Sequence, residues 1–428
     1  MNENPAVLLS PLGREALTRA AELLGDAPGS ELAVAAALRR EYPASLAAAA
    51  VAQHELRLAA RGKFSRAMEM LFTRAGYEQS SSETIGRHRA ARFAAARRIA
   101  DLCCGIGGDL IALASAQGTT APRTAATVLA VDRDEIHVRL AIHNAGVYGE
   151  ADRVRACVAD VRDIALDGVD AVFIDPARRA GTRRFRAGVS EPPLDWCLAL
   201  VGRVPAVCVK AAPGLPAELI PPGWEAEFIA DGRDLKEAVL WSPAFATAPR
   251  RATILPAGDT LTRAPGEPGG HADPVDVSEP GEYLFDPSPA VTRAGLVEDL
   301  ARLLGARKID PRIAFLTADR EVTTPFARTL RVIESAPWNE KRFAARLREL
   351  GVGAADIRRR GLAGDVDQIR RRLKLSGPHR ATVVLTRAND KPWGLICTDV
   401  RTDPGAPLAN DPHSAPSTDL GQLLTRFR

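Results

Sequence analysis

The chain has 428 residues, 46% hydrophobic and 26% charged, with a formal net charge of +4. That length exceeds one ordinary domain and supplies apolar material for two or three cores. There is no long uninterrupted apolar run and no basic start leading into an apolar stretch. Neither a membrane span nor a secretory leader is therefore expected. The six cysteines, at 103, 104, 157, 197, 208 and 397, form no C-x-x-C pair and do not cluster with the histidines. No metal site is expected, and scattered thiols of this kind fit a reducing cytoplasm.

Residues 1–80 read as helical. "SELAVAAALRREYP" and "SLAAAAVAQHELRLAARGKF" are rich in Ala, Leu and Arg, with breaks at Pro43 and Gly62. From about residue 99 short β-prone runs alternate with helical stretches: "RRIADLCC", "ATVLAVDRD", "VRACVADV", "DAVFIDPAR" and "PAVCVKAAPG" are the strands. This alternation predicts an α/β, Rossmann-like parallel sheet with helices on both faces. "EAEFIADG", "EAVLWSPA" and "RRATILPA" follow with little helix between them, so the sheet is expected to end in antiparallel pairing.

The chain thus divides into a helical region (1–80), an α/β domain (81–262), a Pro/Gly-rich linker (263–282), a basic α+β domain (283–402) and a polar tail (403–428), expected to be flexible.

The chemistry centres on "DLCCGIGGD". Gly105 and Gly107 allow left-handed backbone and close ligand approach, in a loop that also contains Cys103. The dinucleotide fingerprint is absent, because Leu110 stands where its third glycine belongs, and no G-K-[ST] of a P-loop is present. Asp101 precedes the loop, where it would repel a pyrophosphate but welcome a cation. S-adenosylmethionine, with its sulfonium and ammonium, fits that preference. Asp132 ends the second strand, 31 residues after Asp101, and is the candidate acceptor for the ribose hydroxyls. The excess length is assigned to an insertion, "QGTTAPRTAAT". Asp160 follows the third strand and is the candidate acceptor for the adenine amine.

These residues resemble class I S-adenosylmethionine-dependent methyltransferases. "DLCCGIGGD" with "AIHNAGVYG" and "FIDPARR" is similar to a bacterial group whose methyltransferase domain is followed by a THUMP-like domain, and to the trimethylguanosine synthase branch. The likeness covers residues 75–255 and extends through "LFDPSPAVTRAGL" and "WGLIC" to about 400. It implies methylation of RNA.

"VFIDPARR" ends the fourth strand, so Asp175 and Pro176 are the candidate reaction centre. In related nucleic-acid enzymes a D/N-P-P-aromatic motif grips a target amine and stacks on its base. Here the third and fourth positions are Ala177 and Arg178. The aromatic clamp is missing, and the Arg178 plane is expected to stack on the base or hold a phosphate. Asp175 would act as hydrogen-bond acceptor or proton acceptor, and transfer would rest mainly on positioning.

"RRAGTRRFR" follows directly, with Arg179, Arg183 and Arg184 as candidates for RNA phosphate, together with Lys210 at the end of a neighbouring strand. Asn144 is expected to be structural or on the cofactor side, and Glu237 to brace the sheet. Residues 301–375 contain eighteen Lys/Arg against nine Asp/Glu, a charge asymmetry that suits an appendage for structured RNA such as tRNA or rRNA. The leading expectation is methylation of an exocyclic base amine in RNA. DNA or protein methylation by the same fold, and a non-catalytic RNA-binding protein, are the alternatives.

Overall fold

The computed structural model describes residues 4–25, 31–116, 127–177, 179–180, 183–184, 190–263 and 274–400, with backbone alone for 179–180 and 183–184. Residues 117–126 of the expected insertion, Arg178, residues 264–273 of the linker and the tail lie outside the described residues. The chain forms two compact units. The first comprises residues up to 231, 236–247 and 255–258, and the second comprises 232–235, 248–254 and the chain from 259 onward.

The first unit begins with helices α1 (Pro11–Leu24), α2 (Glu31–Glu41), α3 (Ala44–Ala60), α4 (Arg74–Gln79) and α5 (Glu83–Ala90). Sequence chemistry sets their starts. The Ser10 hydroxyl accepts the Gly13 N–H at 3.0 Å ahead of Pro11, and Thr73 does the same for Gly76 at 2.9 Å. Each such cap contributes about 1 kcal/mol. The sheet elements follow: β1 (Arg98–Leu102), α6 (Gly108–Ser115), β2 (Thr127–Asp132), α7 (Glu135–Val147), β3 (Val154–Val158) and β4 (Ala171–Ile174). After a two-residue pair of strands, β5 (Arg179–Ala180) and β6 (Arg183–Arg184), come α8 (Leu194–Ala199), β7 (Ala206–Ala211), β8 (Glu225–Asp231) and β9 (Asp234–Trp241).

Within the first unit the strand order is β8-β9-β7-β4-β1-β2-β3. Strands β7, β4, β1, β2 and β3 run parallel, and β9 is antiparallel to β7. The expected α/β sheet with an antiparallel end is present. Strand β4 is buried at every position, as a parallel strand covered on both faces must be. The chain steps from β1 through β2 to β3, then returns to place β4 on the other side of β1. That reversal opens a crevice at the carboxyl ends of β1 and β4, the standard position for a ligand in such sheets.

The helical region packs onto this domain. Leu17, Leu38, Leu56, Phe64 and Phe72 share one core with Ile106, Ile111 and Leu140 of the sheet-covering elements. A large apolar side chain buried there contributes about 1.5–3 kcal/mol.

The second unit includes the hairpin β10 (Arg250–Leu255) with β11 (Asp259–Thr262), antiparallel to each other. It continues through β12 (Tyr283–Pro287), α9 (Pro289–Ala294), α10 (Val297–Leu304), β13 (Arg307–Lys308), β14 (Leu316–Ala318), β15 (Ala327–Pro337), α11 (Glu340–Glu349), β16 (Val352–Arg359), α12 (Val366–Leu373), β17 (His379–Ala388) and β18 (Lys391–Asp399). Its 7-stranded sheet has the order β13-β14-β12-β15-β18-β17-β16, antiparallel except for β16 with β17. Asn389 and Asp390 both have positive φ in the β17–β18 turn, as a two-residue hairpin turn of this hand requires. The last turn of α12 carries Arg370, Arg371 and Arg372. No helix among the described residues is long and apolar enough to cross a membrane.

Candidate active site

A cleft of about 270 Å³ lies in the first unit at the β1/β4 crevice. It is lined by Asp101, Cys103, Gly105, Asp132, Asp160 and Asp175, which come from four separate stretches of the chain. The turn after β1 lines the cleft and is bent by three left-handed residues, Cys103 (φ 62°), Gly105 (φ 53°) and Gly107 (φ 86°). A side chain at Gly105 would meet no atom within 4 Å, so its bare backbone faces open space. Gly107 serves a different purpose from the one expected. A Cβ there would stand 2.9 Å from the Ala141 Cα, so this glycine lets the loop close onto α7, behind the cleft.

Asp101 is fully buried, and neither carboxylate oxygen accepts a hydrogen bond among the described residues. Burial raises its pKa well above the ordinary carboxylate range. The nearby Asp109, Asp175 and Asp132 add to the rise, and Arg89 opposes it. A buried acid with no partner at the wall of a cleft fits a cationic donor such as an amino-acid ammonium.

Asp132 accepts the Gly105 N–H at 2.9 Å and the Asp134 N–H at 2.9 Å, and the His137 ring stands 3.6 Å away. Burial works against its charge, but hydrogen bonds from His137 and the backbone win and hold its pKa below the usual range. Asp160 forms a two-pronged pair with Arg162, at 2.9 and 2.7 Å. The Arg162 side chain and amide lower the Asp160 pKa to about 2. Arg162 also reaches Glu191 at 2.8 Å, and Glu191 pairs through its backbone with Ala177. The base of the arginine-rich excursion after β4 is thereby linked to the Asp160 side of the cleft.

Asp175 lines the cleft, and its amide donates to the Leu102 carbonyl at 3.2 Å, which ties β4 to β1 at the crevice. Pro176 is buried. Arg178 is outside the described residues. Arg179, Arg183 and Arg184 lie on the β5–β6 pair.

Lys210 corrects the expectation of a phosphate contact. It is 3% exposed, and its ammonium lies 2.6 Å from Asp175 Oδ2 and 4.0 Å from Asp109 Oδ2. A lysine so enclosed cannot meet a phosphate on the surface. Its place on β7 turns it inward, into a buried charge network. Arg89, from α5, bonds both Asp109 and Glu237, and the Ser81 hydroxyl donates to Glu237 at 2.9 Å. Glu237 is thus part of this network rather than a simple edge brace.

Sequence reasoning assigned no site role to the helical region, yet Ala75, Gly76, Gln79 and Ser80 line the cleft. Asn144 ties the chain ahead of α4 to the glycine loop. Its amide oxygen accepts the Leu71 N–H at 2.8 Å, and its amide nitrogen donates to the Leu71 carbonyl at 2.9 Å and the Ile106 carbonyl at 2.8 Å. Lys63 donates to the Tyr77 and Ser80 carbonyls at 2.7 and 3.0 Å, closing the end of α4. His137 and Arg162 also line the cleft and were not expected. A signal for Arg162 was its position two residues after Asp160, where an N–H and a guanidinium both reach the carboxylate. Among the described residues no group of His, Cys, Asp or Glu is arranged to hold a metal ion.

A parallel sheet with a glycine turn, strand-end acids and an unpartnered buried carboxylate defines a site of the adenosyl-cofactor methyltransferase class. The comparisons agree. The chain is 37% identical over 328 residues to an uncharacterized S-adenosylmethionine-dependent methyltransferase of Mycobacterium tuberculosis, in strains CDC 1551 and H37Rv alike, covering 74% of this chain and 85% of the relative. The protein belongs to the S-adenosylmethionine-dependent methyltransferases, and S-adenosylmethionine is its cofactor. Residues 96–183 match the RNA cap guanine-N2 methyltransferase family, 327–399 a THUMP domain-like family, and 3–60 a domain of unknown function. The fold is shared with a putative methyltransferase from Porphyromonas gingivalis, at a TM-score of 0.72 and 21% identity over 90% of this chain and 98% of that one.

Proposed function

We propose that this enzyme methylates an exocyclic amine of a base in structured RNA, such as tRNA or rRNA. The observation that carries the reading is that Asp175 opens onto the same cleft as Asp101 and Asp132. On this reading Asp175 is the acceptor for the target amine, beside the acids that hold the cofactor. The RNA class is supported by the match of residues 96–183 to RNA cap guanine-N2 methyltransferases and by the THUMP-like domain.

In this reading Asp101 receives the cofactor ammonium, Asp132 the ribose hydroxyls and Asp160 the adenine amine, with Cys103 and Gly105 along the same wall. Gly107 holds the loop in shape. The cofactor supplies an electrophilic methyl group on sulfonium. Asp175 accepts an N–H of the target amine, and the Pro176 ring stiffens the turn that presents it. Arg178, Arg179, Arg183 and Arg184, which follow Asp175 in the sequence, attract phosphate, and the arginine-rich THUMP-like domain binds RNA as well. The helical region, 1–80, serves the site through the residues around α4. The six cysteines are unpaired, which accords with work in a reducing cytoplasm.

The test is transfer of label from radioactive cofactor to total RNA from cells lacking the protein, with Asp175→Ala alongside. Label with wild type and none with the variant is expected. Label confined to DNA or protein would overturn the RNA assignment.

A further inference from the structure

Lys210 is a buried cation that no step described so far uses. Removing an ammonium from water is costly unless counter-charges surround it. Here Asp175 stands at 2.6 Å and Asp109 at 4.0 Å, while Arg89 binds Asp109 and Glu237. Burial opposes the ammonium, but Asp175, Asp109 and Glu237 outweigh it, and Lys210 is held above its ordinary pKa. Its ammonium, carried by β7, is set against Asp175. Asp175 Oδ2 belongs to this ammonium, while the side chain remains 24% exposed and lines the cleft.

We propose that Lys210 is the positioning residue of methyl transfer: it clamps the Asp175 carboxylate as an acceptor-only group and so selects an N–H donor as the methyl acceptor. This deepens the reading of Asp175 given above and rests on it. An amide in that place would both donate and accept. A carboxylate held by an ammonium only accepts. A base edge offering an N–H is therefore oriented, and one offering only a carbonyl or ring-nitrogen lone pair is turned away. The amine nitrogen forms the new bond to the methyl carbon as the carbon–sulfur bond breaks, with the electron pair staying on sulfur. The displaced proton leaves to water. Lys210 takes no proton in this scheme and touches no reacting atom.

The experiment compares full-length wild type with Lys210→Met, Lys210→Arg, Asp175→Asn, Asp175→Ala and the double variant Asp175→Asn/Lys210→Met. Single-turnover transfer is measured to an extract from cells lacking the protein, and label is assigned by ribonuclease or protease sensitivity. Cofactor affinity is measured by calorimetry. Lys210→Met is expected to lower the transfer rate about 100-fold while cofactor affinity changes less than about 3-fold, with partial recovery in Lys210→Arg. The double variant is expected to transfer no more slowly than Asp175→Asn alone, because the amide needs no counter-charge. That comparison also serves if Lys210→Met fails to fold, since the double variant removes one charge of each sign. A double variant slower than Asp175→Asn by the full Lys210→Met factor would overturn the proposal, as would Lys210→Met transferring at the wild-type rate. Wild-type transfer by Asp175→Ala would instead overturn the Asp175 reading, and label in protease-sensitive material would overturn only the choice of RNA.

Discussion

Gly107 and the Ala141 Cα are so close that a methyl group on the glycine would sit 2.9 Å from the helix backbone. The contact sets how near the cofactor loop lies to α7, and α7 carries both His137 and Asn144. Gly107→Ala is expected to destabilise the protein by about 2–3 kcal/mol, combining left-handed backbone strain with a clash that cannot relax. Gly105→Ala meets no atom and should cost only about 1–2 kcal/mol, the backbone term alone. Urea unfolding of the two variants checks the ordering. Equal losses would show that the loop does not need its close approach to α7.

Asp101 creates a trade between stability and binding. As an unpartnered buried acid it disfavours the cofactor-free fold, so Asp101→Asn should melt at the same temperature or higher. Its cofactor affinity should fall at least about tenfold, or ~1.4 kcal/mol. Thermal melting and calorimetry read the two effects separately. A variant that both melts lower and binds normally would remove Asp101 from the cofactor site.

The same carboxyl sets a pH dependence. Its folded-state pKa lies above the unfolded one, so its contribution to stability is whole below the unfolded value of about 3.9. It is lost as pH rises through the folded-state value. Cofactor-free protein should therefore lose stability across that window, and Asp101→Asn should not. Binding of a cation should release a proton from Asp101 over the same range. Calorimetric heats that vary with buffer ionisation enthalpy in wild type, and less in Asp101→Asn, are the expected result.

Asn144→Ala is expected to cost about 3 kcal/mol, because it leaves the Leu71 amide and the Leu71 and Ile106 carbonyls without their partners. Since Leu71 leads into the α4 segment at the cleft, cofactor affinity should fall as well. Chemical unfolding together with calorimetry tests both. A loss of stability with unchanged affinity would separate the α4 segment from the cofactor.

Asp160→Ala should weaken S-adenosylmethionine and S-adenosylhomocysteine by the same factor, about tenfold, because the adenine amine is common to both. Asp101→Asn also weakens both, since both carry the ammonium. A preference of the Asp160 variant for one ligand over the other would move Asp160 away from the adenine end.

How much could be read without the fold follows from how local each signal is. Asp101, Asp132, Asp160 and Asp175 each lie within two residues of a strand's carboxyl end, and a short apolar run closing on an acid is a pattern of adjacent residues. The βα alternation places those ends along one edge of a parallel sheet, so the sequence by itself determined the class of fold, the cofactor and the row of acids. It also carried the Gly105 turn and the THUMP-like segment. Lys210 shows where that reasoning stops. A strand-end lysine reads as a surface cation, and only the packing of α5, α6 and β9 around β7 encloses it with Asp175, Asp109 and Glu237. Leu71, ahead of the α4 segment that lines the cleft, is held by Asn144, a contact between residues 73 positions apart. Gly107 faces a helix rather than a ligand for the same reason. Burial and charge pairing depend on which distant elements meet, and that is decided by tertiary structure.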